Sequence, residues 1–131
     1  TRVVLELTER TSLERLGDIG PAIADLRRLG YRVAIDDLGT GYAGLTSFTH
    51  LAPDFVKLDR SLITGIEKNE TKQRVVRAMY GLCAELGMSV ISEGVETVEE
   101  RDALAKLGAD YLQGYLFGKP AEGITRGMLP A

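Results

Sequence analysis

Five short apolar runs alternate with helix-like segments along the chain, and this alternation constrains the fold more than any other feature. Each run is rich in β-branched or other apolar residues, is followed by a polar cluster, and leads into apolar positions spaced three or four apart. Strands that alternate with helices form βα units, whose consecutive strands lie parallel in one sheet. We therefore predict an α/β fold with parallel strands at residues 3–7, 31–35, 55–58, 88–92 and 109–112.

The helical segments carry their own start and stop signals. Thr97 and Glu100 form a capping-box pair, and Gly108 is placed to end the helix that follows. Pro21 suits the first turn of a helical piece that ends near Gly30. These signals and the apolar stripes predict helices over residues 13–29 in two pieces, over 43–50, over 75–86, and between Thr97 and Gly108.

One His, one Cys and a formal net charge of −3 narrow the possible functions. A single thiol cannot form an intramolecular disulfide, and one His with one Cys cannot build a His- or Cys-rich metal centre. The acidic balance argues against binding of a DNA or RNA polymer, which needs a basic surface. No apolar run is long enough to span a bilayer and the first residues are not a signal peptide, so we expect a cytoplasmic protein.

A polar residue of catalytic type closes or follows each of the five predicted strands. The carboxyl ends of parallel strands meet at one edge of a sheet, so these side chains are expected to converge. Carboxylates in a cluster repel one another unless a cation is present, and their hard oxygens suit Mg²⁺, Mn²⁺ or Ca²⁺. Adjacent aspartates can serve two ions roughly 3.5 to 4 Å apart, as in binuclear phosphoryl-transfer sites. The predicted cluster consists of Glu6, Asp36, Asp37, Lys57, Asp59, Glu93, Glu96 and Gln113.

Each of these residues also has a structural interpretation. A single Asp or Glu after a strand is more often a helix N-cap or a solvated loop residue than a ligand. Lys57 differs, because a charged side chain inside the apolar run 55–58 needs a partner, which a carboxylate cluster supplies. Glu99 and Glu100 are assigned to the start of a helix, and Cys83 to an apolar helix stripe as a small buried residue.

Five motifs, in order across residues 3–120, resemble the EAL-domain family of cyclic-di-GMP phosphodiesterases. The order and spacing of the motifs make the resemblance highly specific. The motifs are LELTE at 5–9, AIDDLGTGYAGL at 34–45, FVKLD at 55–59, ISEGVE at 91–96 and QGYLFGKP at 113–120.

The resemblance implies a modified TIM barrel that hydrolyses one phosphodiester bond of cyclic di-GMP to give linear pGpG. It implies two divalent cations, Mg²⁺ or Mn²⁺, with Ca²⁺ as an inhibitor. Glu6 would bind the first ion, Asp36 would bridge both ions, and Asp37 and Glu93 would serve the second. Lys57 would position and polarise the attacking water, so the implied catalytic residues are Lys57, Glu93 and Asp37.

Further residues are implied to surround this centre. Glu9 would anchor the loop after the paired aspartates, and Asp59 would support the centre without binding an ion. The family usually has two serines in that loop where this chain has Ala43 and Gly44, so a backbone N–H would have to serve as the anchor point. Pocket positions are implied for Glu96 and Gln113, and positions at the mouth of the guanine site for Tyr115, Phe117 and Pro120.

The length indicates part of a barrel. The strand starts recur about every 27 residues, so eight βα units would need a chain near the roughly 250 residues typical of that fold, whereas this chain has 131. The family's Glu-Ala-Leu segment, its substrate-binding Arg and a metal-binding Asn have no equivalent here, and we expect them N-terminal to Thr1. Residues 1–131 are thus expected to be the C-terminal five βα units of an incomplete TIM-like (β/α)8 barrel, inactive in isolation.

Two other functions stay open. A catalytically inactive EAL-type cyclic-di-GMP receptor or protein-interaction domain is expected if the N-terminal part lacks the Glu-Ala-Leu glutamate or the Asn. An unrelated phosphate-handling βα enzyme is disfavoured by the ordered motifs. The family further implies a homodimer and, in the parent protein, a linked sensor or diguanylate-cyclase-like domain.

Overall fold

The computed structural model describes residues 3–8, 19–38 and 51–123, except for the side chains of residues 37 and 38. Within these residues five strands form one sheet in the order β1-β2-β3-β4-β5, and every neighbouring pair is parallel. The predicted five-stranded parallel α/β architecture is confirmed, and the strand bounds differ from the predicted ones by at most three residues. The strands are β1 (Val4–Thr8), β2 (Arg32–Leu38), β3 (Phe55–Leu58), β4 (Ser89–Glu93) and β5 (Tyr111–Gln113).

In the described part of the chain, helices precede β2, β4 and β5. Helix α1 (Gly20–Arg28) leads into β2, α3 (Glu70–Glu85) joins β3 to β4, and α4 (Val98–Leu107) joins β4 to β5. The short helix α2 (Arg60–Ile63) and a 3₁₀ turn (Ile66–Lys68) precede α3. Neither was predicted, because an element of one turn is too short to show apolar periodicity. Predicted helical residues 13–18 and 43–50 lie outside the described residues. No helix in the described ranges is long and apolar enough to cross a membrane.

Several helix ends follow the sequence signals. Thr97 Oγ1 accepts the N–H of Glu100 at 3.2 Å, and the Glu100 carboxylate accepts the N–H of Thr97 at 3.3 Å, so the predicted capping box is confirmed. Gly108 ends α4 with a φ of 95°, as predicted. Asn69 accepts the N–H of Lys72 and so starts α3 ahead of the predicted apolar stripe.

The hydrophobic core lies between one face of the sheet and the helices. Alternate residues of a strand point to opposite faces, and Val56 and Leu58 of β3 join the core cluster together with Leu104 of α4. All three are fully buried, and burial of side chains of this size contributes roughly 1.5 to 3 kcal/mol each. Phe55 and Lys57 therefore point to the opposite face of the sheet.

That opposite face carries an aromatic layer and a charged layer. The rings of Phe55 and Tyr111 meet edge to face with their centroids 5.8 Å apart, and the Arg32 guanidinium lies 5.8 Å from the centroid of Phe55. Lys57 lies two residues after Phe55, nearer the carboxyl ends of the strands. The charged layer is therefore at the edge of the sheet where parallel βα folds place their sites.

The chain after β4 packs directly on the chain after β5. The N–H of Val95 donates to the carbonyl of Gln113, and the N–H of Leu116 donates to the carbonyl of Val95, both at 3.1 Å. A Cβ added to Gly114 would lie 2.1 Å from the Val95 carbonyl oxygen. Only glycine therefore permits this approach of the two backbones.

Replacement of Gly114 by alanine is expected to lower the free energy of unfolding by about 2 to 3 kcal/mol, because the new methyl group overpacks the contact with Val95. Gly81→Ala is the matched control. Gly81 lies in α3 with no atom within 4 Å of an added Cβ, so alanine should raise the free energy of unfolding by roughly 0.5 to 1 kcal/mol. Urea unfolding measures both changes, and equal stability of Gly114→Ala and the parent would contradict the close approach.

Candidate functional site

Lys57 is the centre of the charged layer. Its side chain is only 5% exposed, and Nζ lies 2.7 Å from Glu93 Oε1, 2.8 Å from Glu6 Oε2 and 3.6 Å from Asp36 Oδ1. Strands β1, β2 and β4 each supply one of these carboxylates around the lysine of β3. The structure thus provides the carboxylate partners that a buried Lys57 needs, and it brings four of the predicted site residues together.

Charge pairing determines the protonation of Lys57. Burial alone would lower its pKa, but its hydrogen bonds to Glu6 and Glu93 and the negative charges of Glu93 and Asp36 raise the pKa well above the ordinary value. Lys57 therefore remains an ammonium group at neutral pH. It can donate hydrogen bonds and stabilise negative charge, but it cannot act as a general base.

The pKa of Glu93 is also raised, but here the shift favours the neutral form of the side chain. Burial raises the pKa of Glu93, the ammonium of Lys57 lowers it, and the charges of Asp36 and Glu6 raise it again, with a net upward shift. A carboxylate with a raised pKa is a better proton acceptor near neutral pH than an ordinary one. Lys57 and Glu93 are therefore suited to different tasks in the same cluster.

The donor set fits a hard divalent cation by its chemistry. Glu6, Asp36 and Glu93 present carboxylate oxygens, which Mg²⁺ and Mn²⁺ prefer. These oxygens face the ammonium of Lys57, and no three His, Cys, Asp or Glu side chains in the described ranges are spaced to hold an ion. The side chain of Asp37, the fourth predicted ligand, lies outside the described residues. Glu6, Asp36 and Glu93 thus have the chemistry of metal ligands, but in this arrangement their oxygens surround the ammonium of Lys57.

A cleft of about 210 Å³ opens beside Glu93 at the carboxyl ends of β4 and β5. Gln113 pairs with Glu93 in the β4–β5 register, and Glu96 Oε1 lies 3.3 Å from Arg60 Nη2. Arg60 was missed by sequence reasoning, although a basic residue directly after the FVKLD motif was a signal that could have found it. The cleft joins three predicted pocket residues to Glu93, and its lining consists of Arg60, Glu93, Gly94, Glu96, Gln113, Gly114 and Tyr115.

Three other predicted residues lie elsewhere. The Asp59 carboxylate accepts the N–H of Ser61 at 2.8 Å and caps α2, and this hydrogen bond lowers the pKa of Asp59. Phe117 packs against the hydrophobic core, because an apolar ring gains most from burial. Pro120 is exposed. Neither Phe117 nor Pro120 lines the cleft, so their predicted contact with a guanine has no support from this geometry.

The remaining sequence candidates fall into two groups. Glu9, Ala43 and Gly44 lie outside the described residues, and the prediction of a loop anchored by Glu9 stays a prediction. Cys83 is buried in α3 as expected, and burial raises its pKa to about 11. Its thiol is therefore protonated at neutral pH and is a poor nucleophile.

The fold and the charged layer define part of a TIM-like barrel with a lysine and carboxylates at the carboxyl ends of its strands. Residues 1–120 match the EAL domain family, and the chain belongs to this family. The family resemblance carried by the five motifs is thereby confirmed.

Relatives and solved structures agree with this assignment. Cyclic di-GMP phosphodiesterase PdeF of Escherichia coli is 37% identical over 119 residues, which are 91% of this chain and 16% of PdeF. Klebsiella pneumoniae BlrP1 in a complex with calcium and cyclic di-GMP has a TM-score of 0.86 at 37% identity, covering 95% of this chain and 32% of BlrP1. Its manganese and cyclic di-GMP complex has a TM-score of 0.82 at 38% identity, covering 90% of this chain and 30% of BlrP1.

Comparison with the EAL domain of Mycobacterium smegmatis DcpA shows how much of a domain the chain covers. Its structure has a TM-score of 0.80 at 34% identity and covers 90% of this chain and 53% of that domain. The chain therefore spans about half of a solved EAL domain and a small part of a curated relative such as PdeF.

Replacement of Lys57 by methionine removes the ammonium and keeps a side chain of similar length. In metal-free buffer at pH 7 the free energy of unfolding should fall by about 1 to 3 kcal/mol, since three partly exposed carboxylates then lack their cation. The loss should shrink near pH 4, where the carboxylates begin to protonate. Urea unfolding at both pH values measures this difference.

Lys106→Met is the control for this substitution. Lys106 lies on the exposed surface of α4, and its loss should change the free energy of unfolding by less than about 0.5 kcal/mol. A Lys57→Met penalty of the same size at pH 4 and pH 7 would show that the pairing with carboxylates is not the cause.

Proposed function

We propose that this chain contributes the catalytic strand ends of a phosphodiesterase that hydrolyses cyclic di-GMP to linear pGpG. The observation that carries the proposal is the convergence of Glu6, Asp36 and Glu93 on the ammonium of Lys57. Membership of the EAL family, with relatives named as cyclic di-GMP phosphodiesterases, supplies the substrate.

The proposed cofactors are two divalent cations, Mg²⁺ or Mn²⁺. Glu6, Asp36, Asp37 and Glu93 would hold them, and the calcium and manganese complexes of BlrP1 support the use of divalent ions at such a site. When bound, the cations lower the pKa of a water molecule and neutralise charge on the phosphodiester. Ca²⁺ is proposed to inhibit, because its larger and more flexible coordination shell is a poor match for a site that needs a fixed geometry.

Individual side chains of the chain are proposed to have separate roles in catalysis and substrate binding. Lys57 stays protonated and would orient the attacking water through a hydrogen bond, while Glu93, 2.7 Å from Nζ of Lys57, would hold the second cation beside that water. Gln113 and Tyr115 line the cleft beside Glu93 and would contact the dinucleotide. Asp37 is proposed to share the second cation with Glu93, and Glu9 to anchor the loop that follows it.

The chain is proposed to form the C-terminal portion of a single EAL domain. Its coverage of 53% of the DcpA EAL domain supports this, and so do the five strands found within the described residues, where a complete barrel of this type has eight. The complete domain is proposed to act as a homodimer, linked to a sensor or diguanylate-cyclase-like domain. We propose the cytoplasm as its compartment, since a chain with a single Cys cannot form an intramolecular disulfide and so suits a reducing environment.

Asp36→Asn removes one negative charge from the site with little change of shape. In the full-length protein with Mn²⁺, kcat for release of pGpG from cyclic di-GMP should fall roughly 100-fold or more, because the proposed bridging ligand is weakened. Chromatographic measurement of pGpG gives the rate.

Asp25→Asn provides the same chemical change on the exposed surface of α1, where Asp25 pairs with Arg28. It should leave kcat within twofold of the parent. Equal rates for Asp36→Asn and the parent would refute the assignment of Asp36 as a metal ligand. Binding of cyclic di-GMP by the parent without hydrolysis would instead favour the non-catalytic receptor.

A further inference from the structure

The ladder between β3 and β4 ends one residue after Lys57. Its last paired residues are Leu58 and Ser92, whereas Glu93 lies one residue further and pairs with Gln113 of β5. The segment that follows Lys57 and the loop that follows Glu93 must therefore be held together by contacts outside the strand ladder.

Glu100 provides such a contact. Its side chain is buried, with the residue only 5% exposed, and its two carboxylate oxygens face different parts of the chain. Oε1 accepts the N–H of Gly65, in the segment after β3, at 2.9 Å. Oε2 accepts the N–H of Glu96 at 2.9 Å and that of Thr97 at 3.3 Å, in the loop after β4. One carboxylate thus joins both segments.

A second set of contacts crosses the same gap nearer the site. Arg60 Nη2 lies 3.3 Å from Glu96 Oε1, and a Cβ added to Gly94 would lie 2.4 Å from the Cβ of Arg60. Gly94 has a φ of 76°, which glycine adopts readily. The loop of Glu93 to Glu96 is therefore pressed against the start of α2, and Glu100 fixes the far end of this contact.

We propose that Glu100 is a positioning residue, whose carboxylate holds the loop that follows Glu93 against the segment that follows Lys57. The catalytic consequence rests on the proposed hydrolysis of cyclic di-GMP. A capping box alone needs only the reciprocal bonds between Thr97 and Glu100. The bond to Gly65, 35 residues away along the chain, is additional and is the part of the arrangement that this inference concerns.

Glu100→Gln separates the two roles. An amide has one acceptor oxygen and one NH₂ group, so it can accept from the Glu96 side or from Gly65, but it must present a donor to the other N–H. Thr97→Ala is the matched control, because it removes the hydroxyl that caps α4 and leaves the Glu100 carboxylate intact. Both variants weaken the same helix end, but only Glu100→Gln breaks the contact between the segment after β3 and the loop after β4.

The experiment compares the full-length parent with both variants by amide hydrogen exchange and by kinetics. Exchange at Gly65 or at Glu96, whichever N–H the amide no longer accepts, should become at least tenfold faster in Glu100→Gln, and both should stay within twofold of the parent in Thr97→Ala. With cyclic di-GMP and Mn²⁺, kcat of Glu100→Gln should fall about fivefold to tenfold with KM within twofold, whereas Thr97→Ala should keep both values within twofold.

Glu100→Asp is the second variant, in case Glu100→Gln does not fold. Its carboxylate keeps the charge but is one methylene too short to reach both sides, so it should show the same faster exchange and lower kcat. Exchange at both Gly65 and Glu96 that is equal in the Glu100 and Thr97 variants would overturn the inference, as would unchanged kcat in both Glu100 variants of an active parent. An inactive parent would refute only the proposed function. The exchange data would still test whether Glu100 holds the two segments together.

Discussion

The burial of one ammonium group determines how the site is built. Lys57 lies within a strand whose other residues are all buried, and a lysine in that environment is unfavourable unless carboxylates surround it. Glu6, Asp36 and Glu93 would in turn repel one another without a cation between them. The ammonium and the carboxylates require each other, so the sheet can place Lys57 in β3 only if other strands carry acidic residues that face it.

The segments beyond the strand ends are held by backbone contacts that leave no room for side chains. Gly114 allows the backbone of Val95 to approach the end of β5, and Gly94 allows the same loop to approach Arg60 on the other side. The Glu100 carboxylate adds hydrogen bonds to backbone N–H groups of both segments. Although burial alone would raise the pKa of Glu100, these hydrogen bonds lower it, so the group stays ionised and keeps accepting at neutral pH. A loop fixed in this way can hold Glu93 without a direct ladder to β3.

Some features follow from the sequence because their causes are local, and others do not because their causes are distant. The capping box at Thr97 depends on residues three apart, and the need of Lys57 for acidic partners depends on one charge in one apolar run, so both could be predicted. Asp59 and Glu96 each follow a strand and look alike in sequence, yet the first caps α2 and the second pairs with Arg60. Tertiary packing, which the local sequence does not show, determines the partner of each side chain. Glu100 was correctly assigned to a helix start, but nothing local indicates its bond to Gly65.

The charge of the cluster also accounts for the proposed dependence on metal ions. Three carboxylates against one ammonium leave the described part of the site negatively charged. A phosphodiester is an anion and would be repelled from such a site in the absence of further cations. Two divalent ions would reverse the sign of the local field and attract the substrate to the strand ends. Lys57 alone can maintain the geometry of the carboxylates, but it cannot make the site attractive to a phosphate. In the proposed enzyme the structure of the site would therefore depend on the ammonium, and catalysis on the divalent ions.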